Sequence, residues 1–470
     1  MTIKSSSENP LTPPSPPGGE RGLRTHSKRR VVVTGLGVAT PLGIGIDALW
    51  DGLLQKRCGI RRLEAFDPSG LPVRIAGELP TFQLGDYVPK SYRKSAKVMA
   101  RDITIAVVCA YHAVVDAKLV TKCIIERGEH PGPVNVDSTR FGANIGAGLI
   151  CADLPELAGA LATAADEQGR FDLGRWGVEG MNNLTPLWLL KFLPNMLACH
   201  VTIVHDAQAP SNTITCSEVS SHLAIGEAFR TIARGDADVC ICGGAESKTN
   251  PMAMTRPLLW GRVNTEDNDR PERASRPFAG DRAGSVLSEG GGLVILEALD
   301  HARARGAKLY GEIAGFGAAS SASSWSSPDP TGRAVAMAIR KSLDDAGVSK
   351  EQIDLVAPFG TGTVDFDAAE AAAWDDVFGS RLPQIPAMTT RGALGINGAG
   401  TGAIDFAATV MALARNTVPP SLNTSNPDPA SRFHFVGDDP KDARITHAAT
   451  VSYALAGGQT AALVVRKVED

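Results

Sequence analysis

Residues 31–40 read VVVTGLGVAT, and residues 309–320 read LYGEIAGFGAAS. Each is a buried-strand pattern that runs into closely spaced glycines. The echo continues in the same order along the chain. A helical period over 102–117 is answered by another over 333–346. FGANIGAG at 141–148 is answered by LVAPFGTGT at 355–363, and the strand-like run at 293–296 by Val464-Val465 in AALVVRK. Repeats of alternating strand and helix predict two similar α/β halves, 29–305 and 306–470.

Other elements fit between these landmarks. A helix is expected from about residue 46 to 54. Strands are expected at 212–215, 237–242 and 290–296, and a helix at 219–234. The stretch VTIV, flanked by His200 and His205, reads as a short strand. Residues 151–195 are irregular, with short amphipathic pieces, and read as an insertion capping the core. Residues 1–28 are rich in Ser, Pro and Gly and read as a disordered tail.

The chain has 470 residues, with 47 Lys+Arg against 51 Asp+Glu and a formal net charge of −4. That balance excludes affinity built on a large basic face for nucleic acid. Apolar residues at 43% and charged residues at 21% are the proportions of a soluble globular protein. The eight cysteines form no CxxC pair and no zinc-ligand spacing. Cys240 and Cys242 fall in an apolar run and read as small buried hydrophobes. The start is polar and proline-rich, unlike a secretory leader. A reducing, cytoplasmic setting is expected. The longest apolar stretch, 184–204, is interrupted by Pro186, Lys191, Pro194 and Asn195, which excludes a membrane span there.

Five segments resemble the β-ketoacyl-acyl-carrier-protein synthases, in their 3-oxoacyl synthase II branch. They are RRVVVTGLGVATPLG (29–43), PNMLACHVTIVHDAQAPS (194–211), GDADVCICGGAES (235–247), ASRPFAGDRAGSVLSEGGGLVILEALDHARARGAKLYGEIAGFG (274–317) and VPPSLNTSNPD (418–428). The resemblance implies a thiolase fold, an α/β architecture in which two βαβαβαββ halves stack as a five-layer α-β-α-β-α sandwich. It implies a dimer paired through the strand before the nucleophile, an acyl carrier protein as partner, and no cofactor or metal. In the family a cysteine at a strand-to-helix elbow takes the acyl chain. Two histidines promote decarboxylation of malonyl carrier protein, and a lysine orders the site. A thiol at a helix N-terminus ionises readily, and two imidazole N–H donors suit an oxygen that gains charge.

At those positions this sequence differs. With GDADVCICGGAE and APSNTIT as anchors, the cysteine position falls on Glu218. The histidine positions fall on Phe359 and Ile396, and the lysine position on Arg391. The turn that gates the family's acyl pocket reads Ala454-Leu455-Ala456-Gly457-Gly458. Asp367 and Glu370 match the acids that meet the family's lysine, so Arg391 is expected to pair with Glu370, with Asp367 as a further partner. A glutamate cannot form a thioester, and Phe and Ile cannot donate to an enolate.

The leading expectation is therefore a homologue that does not condense alone. It would act as a chain-length-factor-like subunit beside a cysteine-bearing synthase. A second reading is a rebuilt site using Glu218, His222 and Cys216. Here His222 lies four residues after Glu218 on one helix face, and Cys216 sits on the preceding strand. A third is a non-catalytic, acyl-binding homodimer.

Overall fold

The computed structural model describes residues 29–469; the segment 1–28, read as a disordered tail, lies outside the described residues. The N-terminal half runs β1 (Val31–Thr40), α1 (Arg101–Asp116), β2 (Phe141–Ala147), α2 (Met196–His205), β3 (Ser211–Ile214), α3 (Ser220–Ala233), β4 (Val239–Ser247) and β5 (Glu289–Ala298). The C-terminal half repeats the order as β6 (Gly311–Ser320), α4 (Arg333–Ala346), β7 (Leu355–Ala357), α5 (Val364–Phe378), β8 (Pro386–Ala387), α6 (Thr401–Arg415), β9 (His447–Tyr453) and β10 (Gln459–Arg466). Each half is βαβαβαββ.

The sheets match as well as the sequence order. The strands run β1-β5-β4-β2-β3 in one half and β6-β10-β9-β7-β8 in the other. They meet where residues 31–33 of β1 pair antiparallel with residues 311–313 of β6. Helices α1 and α2 cover the outer face of the first sheet, and α4 covers that of the second with α5 packed beside it. Helices α3 and α6 lie between the sheets and touch both. This is the five-layer thiolase arrangement.

Burial follows from the layers. Every residue of β1, β4 and β5 is buried, as continuous apolar runs in a covered sheet require. Helix α6 is buried from Thr401 to Leu413, because a helix between two sheets has no wet face.

The glycines of the opening motif explain how the layers close. A Cβ at Gly37 would stand 2.1 Å from the Cys109 carbonyl oxygen in α1, and one at Gly317 would stand 2.2 Å from the Ala338 carbonyl oxygen in α4. Neither backbone contact can yield without moving a helix off its sheet.

One reading needs correction. The run VTIV is part of helix α2, not a strand. His200 and His205 are both buried on that helix, bonded to Tyr92 Oη at 2.7 Å and Thr121 Oγ1 at 2.9 Å. Between 151 and 195 Ala160, Ala164, Gly180 and Phe192 are buried; Phe192, with Ala152 and Trp188, packs on the apolar cluster of α1 and β2, and most of the remaining segment is exposed. Among the described residues no helix is long and apolar enough to cross a membrane.

Gly37→Ala and Gly317→Ala should each lower unfolding stability by at least about 2 kcal/mol in urea titration. Gly70, whose Cβ would meet nothing within 4 Å, should tolerate alanine within about 0.5 kcal/mol. Equal tolerance at all three sites would refute the close-approach account.

Candidate functional site

Strand β3 ends at Ile214, and the chain turns through a short 3₁₀ segment, Ser217–Val219, into α3. Ser217 has φ 56°, a left-handed conformation that is strained for a residue with a side chain. That elbow turns Glu218 inward, where it is 6% exposed. Its Oε2 accepts hydrogen bonds from Ser217 Oγ at 2.6 Å and from the Leu455 backbone N–H at 3.0 Å. Its carbonyl oxygen accepts from Ser452 Oγ at 3.0 Å. The carboxylate thus bonds the turn at 454–458 instead of the free N–H groups of its own helix.

Glu218 opens on a cleft of about 690 Å³ whose walls include Lys248, Arg256, Trp260, Arg262 and Ile396, with Leu455 and Ala456 at its edge. Lys248 is ion-paired with Glu246. Arg256 lies on the rim, its Nη2 3.7 Å from Cys151 Sγ. The Arg262 guanidinium is held between the rings of Trp260 and Phe366, 4.6 and 5.1 Å from their centroids. Sequence reasoning missed these three cations. Nothing in their spacing marks them, and each reads as ordinary surface charge until the fold turns it toward Glu218.

Ile396 is 3% exposed, lines the cleft, and is fixed through its backbone to Val286 and Ser288. Phe359 is fully buried behind the cleft, its ring 5.1 Å from that of Tyr453. Phe359, Ile396, Tyr453 and Leu455 share one apolar cluster. Neither the Phe359 nor the Ile396 side chain can donate a hydrogen bond.

The expected ion pair is not formed. Arg391 is buried and pairs with Asp405 of α6, not with Glu370 or Asp367. Its Nη1 also donates to the Gly395 carbonyl oxygen at 2.5 Å. The reason is saturation. Glu370 already accepts from Phe359 N at 2.7 Å, Gly360 N at 2.8 Å, Tyr453 Oη at 3.0 Å and Trp374 Nε1 at 3.2 Å. Asp367 accepts from Phe278 N at 2.8 Å and from Thr361 N at 2.6 Å. Both acids hold the loop 359–363 by its backbone. Burial nevertheless pushes the Glu370 carboxyl up to about 7, against the pull of those donors.

The rebuilt site of Glu218, His222 and Cys216 is not assembled either. His222 is fully buried in the central layer, its Nε2 3.4 Å from Thr450 Oγ1, and it lines no part of the cleft. Burial lowers its pKa to about 3, so the ring stays neutral. Cys216 lies beyond the end of β3, is half-buried, and is also absent from the cleft wall. Burial raises its thiol pKa, which disfavours a nucleophilic thiolate.

Glu370→Gln should cost about 2 kcal/mol or more, because its amide would turn a donor toward N–H and O–H groups that now find acceptors. Chemical denaturation measures this. A neutral result would remove Glu370 as the anchor of the loop.

The β-ketoacyl synthase N-terminal domain matches residues 28–302, and the C-terminal domain of the same family matches residues 310–425. A 3-oxoacyl-[acyl-carrier-protein] synthase 2 from Synechocystis is 33% identical over 444 residues, covering 94% of this chain and 99% of the relative. One from Rhizobium meliloti is 32% identical over 447 residues, covering 93% and 99%. Among solved structures, a type II polyketide ketosynthase in complex with its acyl-carrier protein superposes with TM-score 0.80 at 25% identity. The ishigamide ketosynthase/chain length factor superposes with TM-score 0.79 at 26% identity. Each covers 94% of this chain and is itself wholly covered. With both domains matched in order and near-full-length relatives above 30% identity, the chain belongs to the β-ketoacyl synthase family.

Proposed function

We propose that this chain is a non-condensing partner subunit of a cysteine-bearing β-ketoacyl synthase in cytoplasmic fatty acid or polyketide biosynthesis. It would shape the acyl tunnel or dock the acyl carrier protein, with 29–305 and 306–470 as its two halves. The observation that carries this reading is the Glu218 carboxylate at the elbow, already hydrogen-bonded to Leu455 N–H of the gate turn. A carboxylate there leaves no thiol to take an acyl group. Phe359 and Ile396 leave no imidazole donors, and losing one such donor alone costs about 10²–10³ in rate.

Two observations support a partner. Among the described residues strand β3 ends its sheet and pairs only with β2, so its outer edge is open there, and such an edge is a template for a second chain. A ketosynthase/chain length factor also stands among the chain's structural neighbours.

The purified chain should show neither condensation nor malonyl decarboxylation above background with carrier-bound substrates. Glu218→Cys should gain alkylation by iodoacetamide without turnover. Adding a cysteine-bearing synthase that co-purifies with the chain should restore condensation. Robust turnover by the lone protein would overturn the proposal. A stable homodimer that binds acyl chains and recruits no synthase would replace it with a purely acyl-binding role.

A further inference from the structure

Three arginines of the described residues are deeply buried: Arg262, Arg282 and Arg391. Arg282 is paired with Asp428 at 2.7 Å, and Arg391 is paired with Asp405. Arg262 differs. It is 7% exposed, its Nη2 donates to the Ser326 carbonyl oxygen, and its buried Nη1 has no hydrogen-bond partner among the described residues. An unpaired buried guanidinium is costly unless an anion reaches it.

Its setting is that of a binding group. Arg262 lines the cleft beside Glu218, and it also lines a second, more polar cleft of about 1070 Å³ that includes Ser326, Ser327, Thr363 and Asp365. It stands where the two meet. Trp260 and Phe366 pack on the guanidinium and restrict its plane, so its free donor is pre-ordered. Burial lowers the pKa of Arg262, and the nearby charges of Glu218 and Asp365 only partly offset this. The other cations are engaged elsewhere, Lys248 by Glu246 and Arg256 at Cys151.

We propose that Arg262 is the recognition residue for an anionic oxygen group of a pantetheine thioester, bound in the joined clefts without covalent attachment. The anion is either a carboxylate at the end of the acyl group or the phosphate of the pantetheine arm. Both accept the same bidentate donation. The choice of a pantetheine thioester rests on the family; the anion site itself rests on Arg262. Binding by the lone chain does not depend on any partner synthase, so failure of the partner assay and failure of this proposal are separate results.

The test is calorimetric titration of the full chain with three probes. Malonyl-pantetheine carries a carboxylate and no phosphate. Acetyl-4′-phosphopantetheine carries a phosphate and no carboxylate. Acetyl-pantetheine carries neither. At least one anionic probe should bind about tenfold or more tighter than acetyl-pantetheine, and whichever does so identifies the source of the anion. Arg262→Met should abolish the advantage, and Arg262→Lys should retain part of it. Thermal unfolding of Arg262→Met should match or exceed the parent, since the variant removes an unpaired buried charge. A large drop would point to a bracing role through Ser326 and overturn the proposal. Equal binding of all three probes by the native chain, or no binding at all, overturns it without recourse to a variant. So does an advantage that survives Arg262→Met.

Discussion

Helices α3 and α6 lie side by side between the sheets, and Gly402 sits where they touch. A Cβ there would come within 2.4 Å of His222 Nδ1. The packing of these two helices positions the site. Glu218 precedes the first turn of α3, and Ile396 lies just before α6. Closing the two helices together brings residues from both halves to one cleft. This gives His222 a physical role unlike the one its spacing from Glu218 invites. It is a neutral ring packed against a glycine in the dry middle layer, where a charged imidazolium would be penalised by desolvation.

The fold was legible because the repeat is written in backbone requirements. Gly37 and Gly317 stand at the same place in the two halves, and each is needed where a helix crosses its strand. Such constraints survive when side chains drift. The misreading of VTIV has the opposite origin. Four apolar residues carry no period that separates a strand from a buried helix, and the helix wins here because Met196–His205 packs against α1 and β2.

The site was legible in part. Order along the chain located Glu218, Ile396 and the gate turn, and the fold places these around one cleft. Pairing preferences did not carry over. The expectation for Arg391 counted opposite charges but not the competing backbone donors. A loop with Gly360 and Gly362 at positive φ turns several N–H groups inward, and Glu370 and Asp367 are consumed in satisfying them. The longer guanidinium then finds Asp405. In the same way, Lys248, Arg256 and Arg262 acquire meaning only through tertiary placement, which no local spacing encodes.

On the proposed reading, the turn at 454–458 makes replacement of the nucleophile more than loss of a thiol. In a site that stabilises an oxyanion, backbone donors must be free to meet the charge as it develops. Here Leu455 N–H is already bonded to Glu218 Oε2 at 3.0 Å, a charge-assisted contact of the stronger kind. The carboxylate thus occupies a backbone donor of that turn and ties the turn to the elbow. A ligand entering the cleft meets a fixed negative wall at Glu218 and an unpaired positive group at Arg262. The carboxylate offers no thiol to attack a carbonyl, and the Arg262 cation favours a molecule held by its own anion, against the repulsion of Glu218.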